Sequence, residues 1–494
     1  MRESGILMHI TSLPGPYGVG TMGKQAYEFV NFLKESGQSC WQILPLTPTG
    51  YGDSPYQSCS TFAGNHYLID LDSLIEAGLL DKSEVENIDW CWSETKADFG
   101  RLYNNRLNVL RKAYARFQGG EAFDKFCAEN SSWLPDFALF MALKSKFGGK
   151  PWYEWETGLK FRDPDAMWAI RQELKDEIRF YSFVQYLFYT QWTGLRTYAN
   201  NNGIRIIGDV PIYVPLDSVE VWSSPELFQL DETLTPKVVA GCPPDAFTAD
   251  GQLWGNPLYR WDVIEQDGFS WWIRRMGAAS KLYDMIRLDH FRGFEAFWSV
   301  PYGDATARNG KWNKGPGMAF VNALKKGLPE VAFIAEDLGF LTQEVLDLRD
   351  ESGWPGMKVL EFAFDSRDPS EYLPHSYTNN SVCYTGTHDN MTMRQWFETA
   401  TPEAVEYCRE YLALTDAEGL VRGTVRGAMS SVSDLCVIQM PDWLNLGGEA
   451  RMNFPGTLSD ANWTWRAKDG MMNKDLAKEI YNMTKLYGRL GNNK

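Results

Sequence analysis

A (β/α)8 TIM barrel, an α/β fold with large, mostly helical insertions over its C-terminal face, is the architecture implied by the residue pattern. Three observations imply it. Short apolar runs alternate with segments of helical period, and eight such runs can be read. Four of them deliver carboxylates at or just beyond their ends, as strands do where their C-terminal ends build a barrel mouth. The chain of 494 residues also exceeds a barrel of ~250 residues by enough to carry large insertions.

The eight runs are Gly5–Ile10, Cys40–Pro45, Arg205–Asp209, Met285–Asp289, Ala332–Glu336, Met357–Phe362, Val382–Thr387 and Leu435–Gln439. Each stops at polar, Gly or Pro punctuation. Helical segments fill the intervals. "AYEFVNFLKESG" closes on Gly37, a residue suited to the position after a helix. "SWWIRRMGAASKLYDM" leads into Met285. "TQEVLDLRDESG" opens on a capping-box-like Thr342 and stops at Gly353. Pro402 suits a helix start, and "KDLAKEIYNMTKLYGRL" closes the chain.

The spacing is uneven. Between Pro45 and Arg205 lie roughly 160 residues, far beyond any βα loop. Asp81–Lys160 reads as an inserted, mostly helical subdomain, and a long helix near Asp165–Asn200 returns the chain to the barrel. A second insertion, Pro211–Trp261, reads as loop-rich. Both follow strand ends, so both are expected to overhang the active face of one catalytic unit spanning 1–494.

Composition excludes more than it identifies. A formal charge of −16 argues against nucleic acid, an anionic membrane surface or a phosphate-rich substrate, and leaves a neutral one. Aromatic residues reach 14%, including 20 Trp. Most belong in a core, but the excess leaves room for a groove that packs against the apolar faces of pyranose rings. The eight Cys are scattered, with no CxxC pair. Met1-Arg2-Glu3-Ser4 leads directly into a short strand, and no window approaches the ~20 apolar residues of a membrane span. A reducing cytoplasm is the expected compartment. Gly18–Gly20 lacks the third glycine of a nucleotide fingerprint, so no cofactor is expected.

The carboxylates at strand ends are Asp209, Asp289, Glu336 with Asp337, and Asp389. Cleaving a glycosidic bond with retention needs one anionic nucleophile and one proton donor of raised pKa. Arg287 lies two residues before Asp289, on the same side of an extended strand, where its charge would keep that carboxylate ionised. Glu336 ends the apolar run "FIAE", where burial would raise its pKa. Taken singly, each carboxylate could equally be a structural ion pair or a helix cap, and for Asp209 and Asp337 that alternative stands. His290 and His388 adjoin the carboxylates, whereas His9, His66 and His375 read as ordinary histidines. A metal on Asp289, His290, His388 and Asp389 is disfavoured, because adjacent strand residues face opposite ways and no HxH is present.

The segments "GILMHITSLPGPYGVG", "SCWQILPLTPTGYGDSPYQSCSTFAGN", "IGDVPIYV", "PPDAFTADGQLWGNPLY", "IRLDHFRGF", "IAEDLG", "TGTHDN" and "EARMNFPGT…NWTWR" together resemble the 4-α-glucanotransferases known as amylomaltase or disproportionating enzyme, of the α-amylase superfamily. The resemblance runs from Gly5 to Arg466 in the family's order. It implies a retaining enzyme that moves α-1,4-glucan segments between maltooligosaccharides, with glucose also an acceptor. By position it implies Asp289 as nucleophile, Glu336 as general acid/base and Asp389 as transition-state stabiliser. Arg287, Asp209 and His388 would support the donor sugar, with His290 beside them, and Tyr56 would stack on a sugar. Trp254 and Asn256 lie on a loop that the glucan wraps around. Asp245, Asp365, Asn453 and Gly456 match weaker binding positions, and Asp337 is grouped with them. In much of the family that loop carries a Glu where this chain has Ala249; Asp250 could stand in for it. An α-amylase-type hydrolase with the same carboxylates is the competing expectation.

Overall fold

The computed structural model describes residues 2–50, 52–244, 249–339, 341–364 and 371–491. Among them are twelve strands: β1 (Glu3–Leu7), β2 (Cys40–Gln42), β3 (Arg205–Val210), β4 (Val238–Cys242), β5 (Gln252–Pro257), β6 (Met285–Leu288), β7 (Ala296–Pro301), β8 (Lys311–Lys314), β9 (Ala332–Ala335), β10 (Gly356–Val359), β11 (Ser381–Tyr384) and β12 (Leu435–Gln439). Eight of these, one overlapping each expected run, form a parallel sheet in the order β10-β11-β12-β1-β2-β3-β6-β9. The ring closes where the Ala335 N–H donates to the Pro355 carbonyl at 2.9 Å, joining the end of β9 to the start of β10. The barrel is therefore complete, and its strands are apolar because both faces are covered. Inside it the Tyr384 hydroxyl on β11 reaches Gln42 Oε1 on β2 at 2.9 Å, both side chains buried.

Helices pack outside. Lys24–Glu35 ends through Ser36, and Gly37 takes φ +68° as the helix-stopping residue. Gly353 does the same at φ +67° after Gln343–Ser352. Thr342 precedes that helix, but its side chain makes no capping bond, so the expected capping box is not formed. Segment 81–160 holds helices Ser83–Glu86, Phe99–Arg116, Glu121–Glu129, Leu134–Lys146 and Thr157–Lys160. The single long helix expected near Asp165–Asn200 is two, Pro164–Glu173 and Lys175–Asn201, because Leu174 leaves helical dihedrals at φ −97°, ψ 19°.

Segment 211–261 is not simply loop. It holds a short helix, Val219–Ser223, and the strands β4 and β5, which join β7 and β8 in a second, antiparallel sheet of order β5-β4-β7-β8. These strands carry weak signals: β5 contains Gly255 and ends in Pro257, and β4 does not alternate polar and apolar residues.

Gly208 shows how tightly the barrel is packed beside the carboxylates. A Cβ there would lie 2.1–2.3 Å from ring atoms of Tyr283, itself buried and held by the Leu46 N–H at 3.2 Å. Gly208→Ala is expected to destabilise the fold by roughly 1–3 kcal/mol. Urea unfolding would show a lower midpoint at unchanged slope; an unmoved midpoint would contradict the packing argument.

Candidate active site

Strand register assembles the site. On neighbouring strands Asp209 of β3 lies opposite Arg287 of β6, and Leu288 lies opposite Ala335 of β9. Residues two apart on a strand share a side, so Asp289 follows Arg287 into the same space. The ladder continues past the strand ends: the Asp289 N–H donates to the Val210 carbonyl at 3.0 Å, and the Glu336 N–H to that of Leu288 at 3.1 Å.

At the centre is the Arg287 guanidinium, 2% exposed. Its Nη1 donates to both oxygens of Asp209, at 2.8 and 2.7 Å, and to Asp289 Oδ1 at 2.8 Å. Its Nη2 lies 4.0 Å from Glu336 Oε2. The Tyr56 hydroxyl donates to Asp209 Oδ2 at 2.8 Å, completing that buried carboxylate's set. Asp209 is thus both an ion-pair partner and part of the cluster.

His290 takes φ +52°, a left-handed conformation that costs a non-glycine residue roughly 1–2 kcal/mol. The turn aims its backbone N–H at Glu336 Oε2, at 2.6 Å, while Leu338 N–H donates to Oε1 at 2.9 Å. Glu336 is thereby held over the Asp289 turn. The His290 ring is held neutral, its pKa lowered to about 3 by burial and by the nearby Arg292 charge. That ring meets Trp254 edge-on, with centroids 4.8 Å apart, and Tyr213 at 6.4 Å.

On the other side, the Tyr56 ring stacks on His388 at 5.1 Å with planes 16° apart, and Trp463 lies 5.7 Å from Tyr56 and 5.9 Å from His388. His388 Nε2 is 3.2 Å from Asp389 Oδ2, and Asn453 Nδ2 donates to Asp389 Oδ1 at 2.6 Å. Arg451 Nη2 donates to the Asp389 backbone carbonyl at 3.0 Å and fixes the Asn453 backbone through Nε at 2.8 Å.

The three carboxyls at this mouth ionise differently. Burial, opposed by Arg287 and reinforced by Asp289, pushes Glu336 up to about 8. Burial also pushes Asp289 up, to about 6, although Arg287 pulls the other way. Arg287 does favour the ionised form of Asp289, as its place two residues earlier implies, but desolvation and the neighbouring Asp209 charge outweigh it. Asp389 departs in the opposite direction. Its partial burial raises it, but His388, the Asn453 hydrogen bond and the Arg287 charge outweigh this and hold it below the ordinary carboxylate range.

Asp337 does not join the cluster. Its oxygens accept from Arg349 Nη1 and from the Met357 N–H, each at 2.7 Å, so it ties β9 to β10 behind the site. Alternation after Glu336 sends it the other way. Asn256 is buried at the end of β5, and Gly456 sits in an exposed turn at φ +73°. Asp245 and Asp365 lie outside the described residues. Asp250 is paired with Arg308 at 2.6 Å, both side chains more than half exposed. Sequence reasoning did not single out Tyr213 or Trp463. Trp463 carries a signal only in three dimensions, a bulky residue at φ +65°. Among the described residues no three His, Cys, Asp or Glu side chains are grouped to hold a metal ion, and no helix is long and apolar enough to cross a membrane.

A family model described as 4-alpha-glucanotransferase matches residues 8–472. The chain is 50% identical over 486 residues to the 4-alpha-glucanotransferase of Clostridium butyricum, spanning 98% of this chain and 100% of that one. It is 47% identical over 502 residues to that of Thermus thermophilus, spanning 99% of each. Among solved structures, an amylomaltase from Streptococcus agalactiae in complex with acarbose superposes with a TM-score of 0.96 at 42% identity, covering 99% of this chain and 100% of that one. The fold, the strand-end carboxylates and these full-length matches agree, and the chain belongs to the 4-α-glucanotransferase family of glycosyl-transferring enzymes.

Proposed function

We propose that the protein transfers a segment of an α-1,4-glucan to the 4-hydroxyl of glucose or of another glucan by double displacement. The observation that carries the reading is one buried guanidinium flanked by two carboxyls, Asp289 and Glu336, with a third, Asp389, held ionised nearby. Asp289 attacks the anomeric carbon while Glu336 protonates the departing glycosidic oxygen, leaving a covalent β-glucosyl ester. Glu336, now a base, takes the proton of the acceptor 4-hydroxyl, and the α-1,4 bond is remade with release of Asp289. Asp389 stabilises positive charge on the donor ring. Arg287, Asp209, Tyr56, His388 and Asn453 hold that ring in place, and Trp254 and Asn256, with Gly456 at the rim, line the path of the glucan. Segments 81–160 and 211–261 overhang the mouth as its insertions. The proposed setting is a reducing, cytoplasmic one, without nucleic acid or membrane partners. The hydrolase reading is disfavoured because the full-length relatives are transferases.

Incubation with maltotriose separates the two. Transfer yields glucose and longer maltodextrins at a constant number of reducing ends, whereas a steady rise in reducing ends would establish hydrolysis. Asp289→Asn is expected to lower turnover by roughly four orders of magnitude or more while the melting transition remains. Near-normal transfer by that variant would remove Asp289 from the mechanism.

The pH profile follows from the ionisations. Below about 6 Asp289 is protonated and cannot attack; above about 8 Glu336 has lost the proton it must give. The kcat/KM profile is therefore expected to be bell-shaped, and Glu336→Gln to abolish its alkaline limb. A flat profile from about pH 5 to about pH 9 would contradict both assignments.

A further inference from the structure

The loop that carries His388 and Asp389 runs from Thr385 to Thr392, between β11 and the helix Met393–Thr399. A loop of this length, left to itself, samples many conformations, and ordering each residue costs roughly 1–2 kcal/mol. Its internal bonds shape only the tip: Asn390 Oδ1 accepts from the Thr387 N–H and hydroxyl, each at 2.9 Å. Arg451 and Asn453 hold Asp389 itself, and the Glu361 N–H donates to the Thr385 carbonyl at 3.1 Å; the side chain that fastens both ends of the loop is Asp442, three residues beyond β12.

Asp442 Oδ2 accepts from the Thr385 hydroxyl at 2.6 Å, at the first residue of the loop. Its Oδ1 accepts from the Met393 N–H at 2.7 Å, at the first residue after the loop. Gln439 Nε2 donates to Asp442 Oδ2 at 3.1 Å and to the Met391 carbonyl at 3.0 Å, extending the same bracket to a third point. One side chain, 3% exposed, thus holds both ends of the segment that presents Asp389. From the opposite side Glu361, beyond β10, accepts from the Met391 N–H at 3.4 Å.

We propose that Asp442 is a positioning residue of the transfer reaction, bracketing the 385–393 loop so that Asp389 meets the donor sugar in one geometry. The inference rests on the role given to Asp389 above. Asp442 has no bond to the sugar-facing cluster; it acts through the loop. Burial raises its pKa to about 6 against the pull of Thr385, Met393 and Gln439; across the loop Glu361, itself pushed up to about 8 by burial, is protonated at neutral pH, with the Arg451 charge beyond it. Asp442 is therefore ionised, as a triple acceptor should be, at neutral pH.

The test compares Asp442→Ala and Asp442→Asn in maltotriose disproportionation, alone and combined with Asp389→Asn. Asp442→Ala is expected to lower kcat by roughly tenfold to a hundredfold with KM within about threefold, since a small misplacement costs rate more than binding. Asp442→Asn keeps the acceptor for Met393 but sets a donor against Gln439, and is expected to lose roughly threefold or more in kcat. In the Asp389→Asn background, assayed with a maltotriosyl fluoride donor, Asp442→Ala is expected to cost less than about threefold further, because both act through one group. A kcat near wild type in folded Asp442→Asn overturns the proposal, and so does an undiminished loss in the Asp389→Asn background. Should Asp442→Ala not fold, the Asn variant, alone and in the Asp389→Asn background, decides both points. Full turnover by Asp389→Asn alone would instead overturn the role of Asp389.

Discussion

Everything at the barrel mouth depends on the buried charge of Arg287. A guanidinium out of water is tolerable only when its donors are taken by well-placed acceptors, and removing one partner strands the rest. Asp209 provides both oxygens from β3, Asp289 provides one from the end of β6, and Glu336 waits at 4.0 Å beyond β9. Three consecutive barrel strands are therefore tied by one side chain. The arrangement exists only in one register, because a slip of a single residue would turn Arg287 to the other face of the sheet. Strand pairing and site geometry are the same constraint seen at two scales.

That shared cation also explains why carboxyls so close together behave differently. Arg287 cannot neutralise Asp209, Asp289 and Glu336 together, and burial disfavours each surplus charge. Glu336, farthest from the guanidinium, keeps its proton to about 8, while Asp289 releases its own near 6. Asp389 escapes the competition because it has donors of its own, His388 and Asn453. Two groups of the same chemistry thus ionise differently because of their surroundings, which is the condition the proposed retaining displacement needs.

Much of this was legible in the residues before any coordinates. Each of the eight barrel strands overlaps one of the runs read from the sequence, with one end lying one or two residues outside it in β1, β3, β10 and β11, because strands covered on both faces are largely apolar. The clustering of Asp209, Arg287, Asp289 and Glu336 followed from the strand ends on which they sit. What was hidden has definite physical causes. Asp337 adjoins Glu336 in sequence, yet strand alternation delivers it to Arg349 behind the barrel. The second sheet was invisible because β5 is interrupted by glycine and β4 does not alternate. Trp463 reaches Tyr56 and His388 only after a chain reversal that no local pattern encodes. The upward shift of Asp289 is not legible in the residues, because a sequence reveals the neighbour Arg287 but not the desolvation of the pair at the barrel mouth.

The carboxyls alone do not decide between sugar and water as acceptor, since a hydrolase could use the same set. In the proposed reaction that choice rests on the walls. On one side Tyr56 is stacked against His388 and backed by Trp463; on the other, Trp254 stands edge-on to His290 beside Tyr213. Rigid rings lose little freedom on binding, so a glucan laid against them presents its hydroxyl at high effective concentration. Water gains nothing from such surfaces. This chain has Ala249 where much of the family it resembles carries a Glu, and Asp250 is paired with Arg308. In the proposed reaction a preference for sugar draws on this aromatic packing and on the geometry of Glu336 over the His290 turn.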